Sequence, residues 1–262
     1  MTLLDARARV GAVAAINPVA KLGAAAIIAV PLVFTLDVVS AAVALMLELA
    51  LMPFAGLGWR EFWTRTWPVW IAAPLTGLTI ALYGEASGEI HLEWLAVRVS
   101  DGSLLLAAAT MLRVLAIALP SVVLFVTVDP TDLADGLAQV LRLPARFVLG
   151  ALAGLRMVGL FLDDWRALEL ARRARGVADR GRIRRFVGMA FALLVLSIRR
   201  GAKLATAMEA RGFGAPARRT WARTSRFGGR EWVLIALGAG IAAVAVAAAI
   251  AAGTWNFILG PG

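Results

Sequence analysis

Hydrophobic and polar residues are grouped along this chain in long blocks, not in the period-two alternation of half-buried strands. Five blocks, 22–36, 38–57, 68–83, 104–128 and 232–252, are apolar over the length of a bilayer crossing or close to it. They predict five membrane helices. Pro31 lies inside the first, and a turn near Asp37 separates it from the second. Ahead of the third, the run WREFWTRTWPVW spaces Trp59, Trp63, Trp67 and Trp70 four, four and three residues apart, on one helical face. Indoles on one face with Arg60 and Arg65 beside them suit an anchor at the headgroup level.

Between the fourth and fifth blocks the pattern changes. Residues 144–176 and 184–212 read as two long helices, each apolar in its first half and basic in its second. The first opens on Pro144, a good residue for a helix start. Its stretch 147–162 carries only Arg156 among charged types, and 186–198 of the second carries none. Both fall short of the ~20 apolar residues that cross hydrocarbon. Crossing as a hairpin would also put Arg166, Arg172, Arg173, Arg175, Arg180, Arg182, Arg184 and Arg185 outside, against the positive-inside rule. Both helices are therefore expected on the cytoplasmic side, with the N-terminus inside and the C-terminus external. Small residues at four-residue spacing, Gly150 and Gly154 on the first and Ser197 and Gly201 on the second, would let the pair cross closely. An alanine-rich chain also scatters small residues without any such purpose.

The predicted fold class is an all-α polytopic membrane protein. It has about five transmembrane helices plus two long, crossed cytoplasmic helices preceded by a short one. The chain divides into an N-terminal membrane part with four spans (1–128), a cytoplasmic part (129–230), and a last span with an external tail (231–262).

Composition agrees. The 262 residues are 61% hydrophobic, with mean hydropathy +0.81, well above a soluble domain of this size. The N-terminus turns apolar too late for a cleavable signal. Absence of cysteine excludes disulfides, thiolate metal sites and a cysteine nucleophile, and the single His91 excludes a multi-histidine site. His91 falls in the acidic connection after the third block, expected as a solvated outer loop. No cofactor or metal is implied. The net charge of +10 is concentrated in 129–230, which holds 20 Lys/Arg against 8 Asp/Glu, a surplus of 12. Such a block faces anionic lipid or a protein surface; its interleaving with apolar helices argues against nucleic acid.

Three features could carry chemistry. Glu48 and Arg113, each about ten residues into a span, stand at similar depth and could form an ion pair; snorkelling to opposite interfaces and a transport role are the alternatives. The long helices end in one tripeptide, Ala174-Arg175-Gly176 and Ala210-Arg211-Gly212, 36 residues apart. Arginine in a last turn followed by glycine is ordinary C-capping, and an arginine at a helix tip can also enter a partner's groove with bidentate bonds. A membrane enzyme would need intramembrane nucleophiles or carboxylate pairs, and Asp163 with Asp164 is a poor candidate in a basic region. The chain has no nucleotide-binding Walker motif. A lipid-binding scaffold is a third reading.

With Asn17-Pro18, Lys21-Leu22, Arg113, Thr127, Asp129-Pro130, Asp132-Leu133, Leu143-Pro144, Leu155-Arg156 and the runs ARARG and MEARGFG, the chain resembles the T component (EcfT, CbiQ-like) of energy-coupling factor transporters. The resemblance covers nearly the whole chain and is strongest over 127–214. It implies a non-catalytic subunit of an ABC-type importer of vitamins or metal ions in the bacterial plasma membrane. The long helices would be coupling helices. Ala174, Arg175 and Gly176 would meet one cytoplasmic ABC-type ATPase subunit, and Ala210, Arg211 and Gly212 another. An integral membrane S component would bind the substrate, with membrane lipids around the whole. Gly150, Gly154, Ser197 and Gly201 would face that S component or the helix crossing.

Overall fold

The structure, a computed structural model, describes residues 13–56, 58–84, 87–94, 97–176, 181–215 and 220–255. The polar N-terminus, part of the connection between the long helices (177–180), part of the basic linker (216–219) and the tail from 256 lie outside the described residues. Eight helices and one small hairpin occur among the described residues. They are α1 (Pro18–Phe34), α2 (Val38–Leu51) with a 3-10 turn (Met52–Ala55), α3 (Trp59–Tyr83), β1 (Ile90–Trp94), β2 (Val97–Ser100), α4 (Asp101–Val126), α5 (Pro130–Gln139), α6 (Ala145–Ala174), α7 (Arg182–Ala210) and α8 (Gly229–Ala251). Two compact units divide the chain. One is Leu137–Thr224, and the other combines the described residues up to Gly136 with those from Ser225 onward.

In the second unit, α4 packs on α1, α2 and α3, and α8 lies against α1 and α2. Ile28, Leu45, Leu115, Leu119 and Ile241 form the core, with Ala20, Ala73, Ala116 and Ala249 fully buried between helices. These small side chains let backbones approach, the packing that replaces hydrophobic drive in lipid. Gly238 shows how tight this is: a Cβ there would stand 3.1 Å from the Ala24 carbonyl oxygen. Gly238→Leu is expected to part α1 from α8 and cost ~1–3 kcal/mol, read as a lower unfolding midpoint in detergent. Outside the core the surface is apolar, with Met46, Leu75, Leu105 and Val233 all more than 45% exposed. Such a surface belongs in hydrocarbon.

The helix ends follow local chemistry. Asn17 caps α1 through its Oδ1, which accepts from Val19 N at 3.0 Å. Asp37 makes the expected turn, its carboxylate accepting from Val39 N at 3.1 Å and Ser40 N at 2.7 Å. Ser100 and Ser103 cap α4 reciprocally, and Ser103 Oγ donates to Ala81 O at 3.1 Å, tying α4 to the end of α3. The tryptophan run is the first half of α3, with the Trp63 and Trp70 rings 5.5 Å apart and tilted by 33°.

Three expectations change. The acidic connection is not a plain loop: β1 pairs antiparallel with β2, and half-exposed His91 sits 2.6 Å from Asp101. Among the described residues α4, α6 and α8 are long and apolar enough to cross a membrane, while α1 and α2 are shorter apolar helices. Thus α6 meets by length and composition the criterion that the sequence reading denied it, and only the arginine distribution argues against its crossing.

The third change concerns the Glu48–Arg113 ion pair, which is not formed. Arg113 Nη2 donates to Val33 O at 2.8 Å, whereas both Glu48 carboxyl oxygens are buried without a hydrogen-bond partner. Val33 precedes the Asp37 turn, and Glu48 lies ten residues into α2, ~15 Å further along at 1.5 Å per residue. The two side chains therefore stand at different depths.

Candidate functional site

The unit Leu137–Thr224 is built from α6 and α7, and its two helix tips are local copies of each other. At the end of α6, Ala174 is the last helical residue, Arg175 the C-cap (φ −86°, ψ 0°) and Gly176 turns the chain at φ +67°. At the end of α7, Ala210, Arg211 (φ −88°, ψ 9°) and Gly212 (φ +74°) repeat it. Gly176 N donates to Arg173 O at 3.0 Å, and Gly212 N to Glu209 O at 2.9 Å. After α7 a second bond, Phe213 N to Met208 O at 2.9 Å, completes a Schellman cap. Arginine at this position is half out of the helix and exposed. The capping reading and the tip reading of the tripeptide thus describe one geometry.

Arg175 and Arg211 are both exposed, as are Ala174, Gly176, Ala210 and Gly212. Neither guanidinium is hydrogen-bonded or ion-paired to a described residue, while neighbouring arginines of the same helices are engaged. Only glycine accepts the positive φ without cost. Gly212→Val is expected to cost ~1–2 kcal/mol and to fray the last turn of α7, seen as faster amide exchange at Ala210–Phe213.

Contact between α6 and α7 runs over Asp164–Arg172 of the first and Arg185–Arg200 of the second. At that contact the Trp165 and Phe186 rings stand 5.6 Å apart. Asp164 pairs with Arg200: Oδ1 accepts from Nη2 at 3.1 Å, and Oδ2 lies 2.8 Å from Nη1 as an ion-pair contact without hydrogen-bond geometry. Glu169 accepts from Arg173 of its own helix at 2.9 Å and from Arg185 of α7. Gly188 leaves room for the Arg172 guanidinium, whose Nη2 lies 2.9 Å from where a Cβ would be.

None of these positions belongs to the small-residue rows. A Cβ added at Gly150, Gly154 or Gly201 would meet nothing within 4 Å, and Ser197 Oγ bonds only back to Leu194 O at 2.8 Å. The helix contact is therefore aromatic and ionic, not a small-residue crossing. The reading passed over Asp164, Glu169, Arg185, Gly188 and Arg200. Opposite charges on two helices were the available signal, and Asp164 had been weighed only as an enzyme carboxylate.

Above the tips both helices keep their apolar surfaces open. Only 6% of the apolar window of α6 is buried, and Phe147, Val158, Leu162, Phe186, Phe191 and Ile198 are each more than half exposed. This area exceeds what a soluble surface tolerates and calls for lipid or protein cover. No group of three or more His, Cys, Asp or Glu suited to a metal occurs among the described residues.

In the other unit, Asn17, Lys21 and Thr127 form a polar clasp. Asn17 N donates to Glu231 Oε1 at 3.2 Å, and its Nδ2 donates to Ser225 Oγ at 2.8 Å and Arg226 O at 2.9 Å. Glu231 also accepts from Gly228 N at 2.8 Å. Lys21, only 1% exposed, donates from Nζ to Thr127 Oγ1 at 2.8 Å. These bonds fasten the start of α1 to the start of α8 and to the end of α4. Asn17→Leu strips the two bonds donated by Nδ2 and the Oδ1 cap at a buried site and is expected to cost ~2–4 kcal/mol, measurable as lost monodispersity in detergent before any loss of membrane insertion.

Residues 12–221 match the family model described as CbiQ, cobalt transport protein. Several curated relatives are named energy-coupling factor transporter transmembrane protein EcfT. The chain is 28% identical to that of Limosilactobacillus fermentum over 62% of its own length and 64% of the relative's. It is 30% identical to that of Lacticaseibacillus paracasei over 56% and 60%, and 26% identical to that of Brevibacillus brevis over 72% and 73%. The first two matches thus span less than two thirds of those relatives.

Proposed function

The chain belongs to the CbiQ cobalt transport protein family and is a multi-pass membrane protein; from that premise we propose that it is the energy-coupling subunit of an energy-coupling factor importer. Arg175 and Arg211 each enter a groove on one of two cytoplasmic ABC-type ATPases, forming charge-assisted bonds that an exposed, unengaged guanidinium is free to make. The glycine after each arginine turns the chain aside so that the tip can insert. ATP binding brings the ATPases together and moves the tips, and the ionic contact between α6 and α7 carries that motion as a displacement of rigid helices. The open apolar surfaces above, including the rows at Gly150, Gly154, Ser197 and Gly201, take an integral membrane S component, which holds the vitamin or metal ion.

In this reading the chain catalyses nothing itself; ATP is hydrolysed by its partners. Residues 1–128 and 231–262 form the membrane part, and 129–230 the coupling part. The N-terminus and both tips are cytoplasmic and the C-terminus external, as the arginine distribution favours. The observation that carries the reading is the pair of equivalent, exposed arginine tips, bonded to no described residue, in one family member. Purification in mild detergent from the native membrane tests it. Two ATPase subunits and one small membrane protein should accompany the chain, and isolation with lipid alone would argue for a scaffold instead.

A further inference from the structure

In the membrane unit the first half of α1, the end of α2, the last turns of α4 and the start of α8 line an open cavity of about 230 Å³. Its wall is apolar, from Ile16, Met52, Val123 and Leu237 among others, with two exceptions. Glu48 is 4% exposed, and neither of its carboxyl oxygens has a hydrogen-bond partner among the described residues. Arg230, exposed in the first turn of α8, is the second. A further apolar cleft of about 490 Å³ runs between α2 and α8, and the two share Leu51, Val233, Leu237 and Ile241.

A carboxyl group held among apolar side chains at membrane depth has a standing need for a donor. Water is a poor candidate, because it needs several polar partners and this wall supplies few. The geometry points to an amino-phospholipid as the occupant: one acyl chain in each of the two adjoining clefts, the phosphate on Arg230 and the ammonium on Glu48. Two chains match two clefts that share a wall. The phosphate answers the Arg230 charge, and the ammonium supplies the donor that the Glu48 carboxyl lacks, favouring its ionised form on binding. The depth agrees as well, because Arg230 stands where α8 gives way to the basic linker, the level at which headgroups lie. An anionic lipid without an amine answers Arg230 and leaves Glu48 unmet, and a free phosphate leaves the apolar walls open. This inference concerns only the membrane unit and does not require the ATPases or the S component.

The test uses the full-length protein in vesicles of phosphatidylcholine doped with a photoactivatable phosphatidylethanolamine. Cross-links should map to the cavity walls on α2 and α8. Unlabelled phosphatidylethanolamine should compete about tenfold better than phosphatidylglycerol, as one charge-assisted hydrogen bond is worth. Glu48→Gln should keep the cross-link and erase that preference, whereas Leu237→Trp, which fills both clefts, should remove the cross-link itself. Equal competition by the two lipids in the wild type overturns the proposal whether or not the variants insert. A cross-link confined to α3 or α6 overturns it too.

Discussion

Reversing the charge of both tips, Arg175→Glu with Arg211→Glu, should reduce co-purification of the ATPases to background while the chain stays in the membrane at its usual level. Each arginine is exposed and bonded to no described residue, so its replacement leaves the fold's own contacts intact. A carboxylate placed in a groove built for a guanidinium removes a charge-assisted bond and adds repulsion, a loss of about 2–5 kcal/mol per tip, or more than tenfold in affinity. Two tips act together through effective concentration, so each single variant should retain weak association and the double variant none. Conversion to lysine should rescue only partly, because an ammonium cannot make the bidentate fork. ATPases recovered undiminished with the double variant would show that the tips are ordinary helix caps.

The second large effect is expected at the contact between the long helices. Asp164→Arg sets two guanidiniums against each other where Asp164 and Arg200 now form a hydrogen-bonded ion pair. The variant should keep ATPase binding, since the tips are untouched, yet lose transport by tenfold or more. The reciprocal Arg200→Asp should restore it in the double variant. The pair is partly buried, its side chains 39% exposed at Arg200 and 20% at Asp164, and what is at stake is rigidity of the lever. Loss of binding and transport together would mean that Asp164 holds the fold of the unit instead.

The long apolar blocks were readable because a membrane helix needs many consecutive apolar residues and admits few errors of period. Pro18 after Asn17, the Asp37 turn and the glycines after Arg175 and Arg211 marked ends for equally local reasons. Long-range features were hidden. Position along a span fixes depth only if both ends of both spans are known, and α4 begins at Asp101 on the heels of an unforeseen hairpin. Arg113 therefore meets Val33 and not Glu48. Small residues at four-residue spacing make a close crossing possible without requiring it. Aromatic and ionic partners at Trp165, Asp164 and Glu169 took that role and left Gly150, Gly154 and Gly201 open. Rotation about each helix axis decides such questions, and hydropathy in these nearly uniform helices carries little record of it.

The central claim is that both arginine tips lie on the cytoplasmic side and touch the ATPases there. Because the chain contains no cysteine, Arg175→Cys and Arg211→Cys each introduce a single thiol that a membrane-impermeant maleimide can report. Labelling should occur in inside-out vesicles stripped of ATPases, fail in intact right-side-out cells, and be blocked when the ATPases are added back. Labelling of either position from outside intact cells would contradict the account.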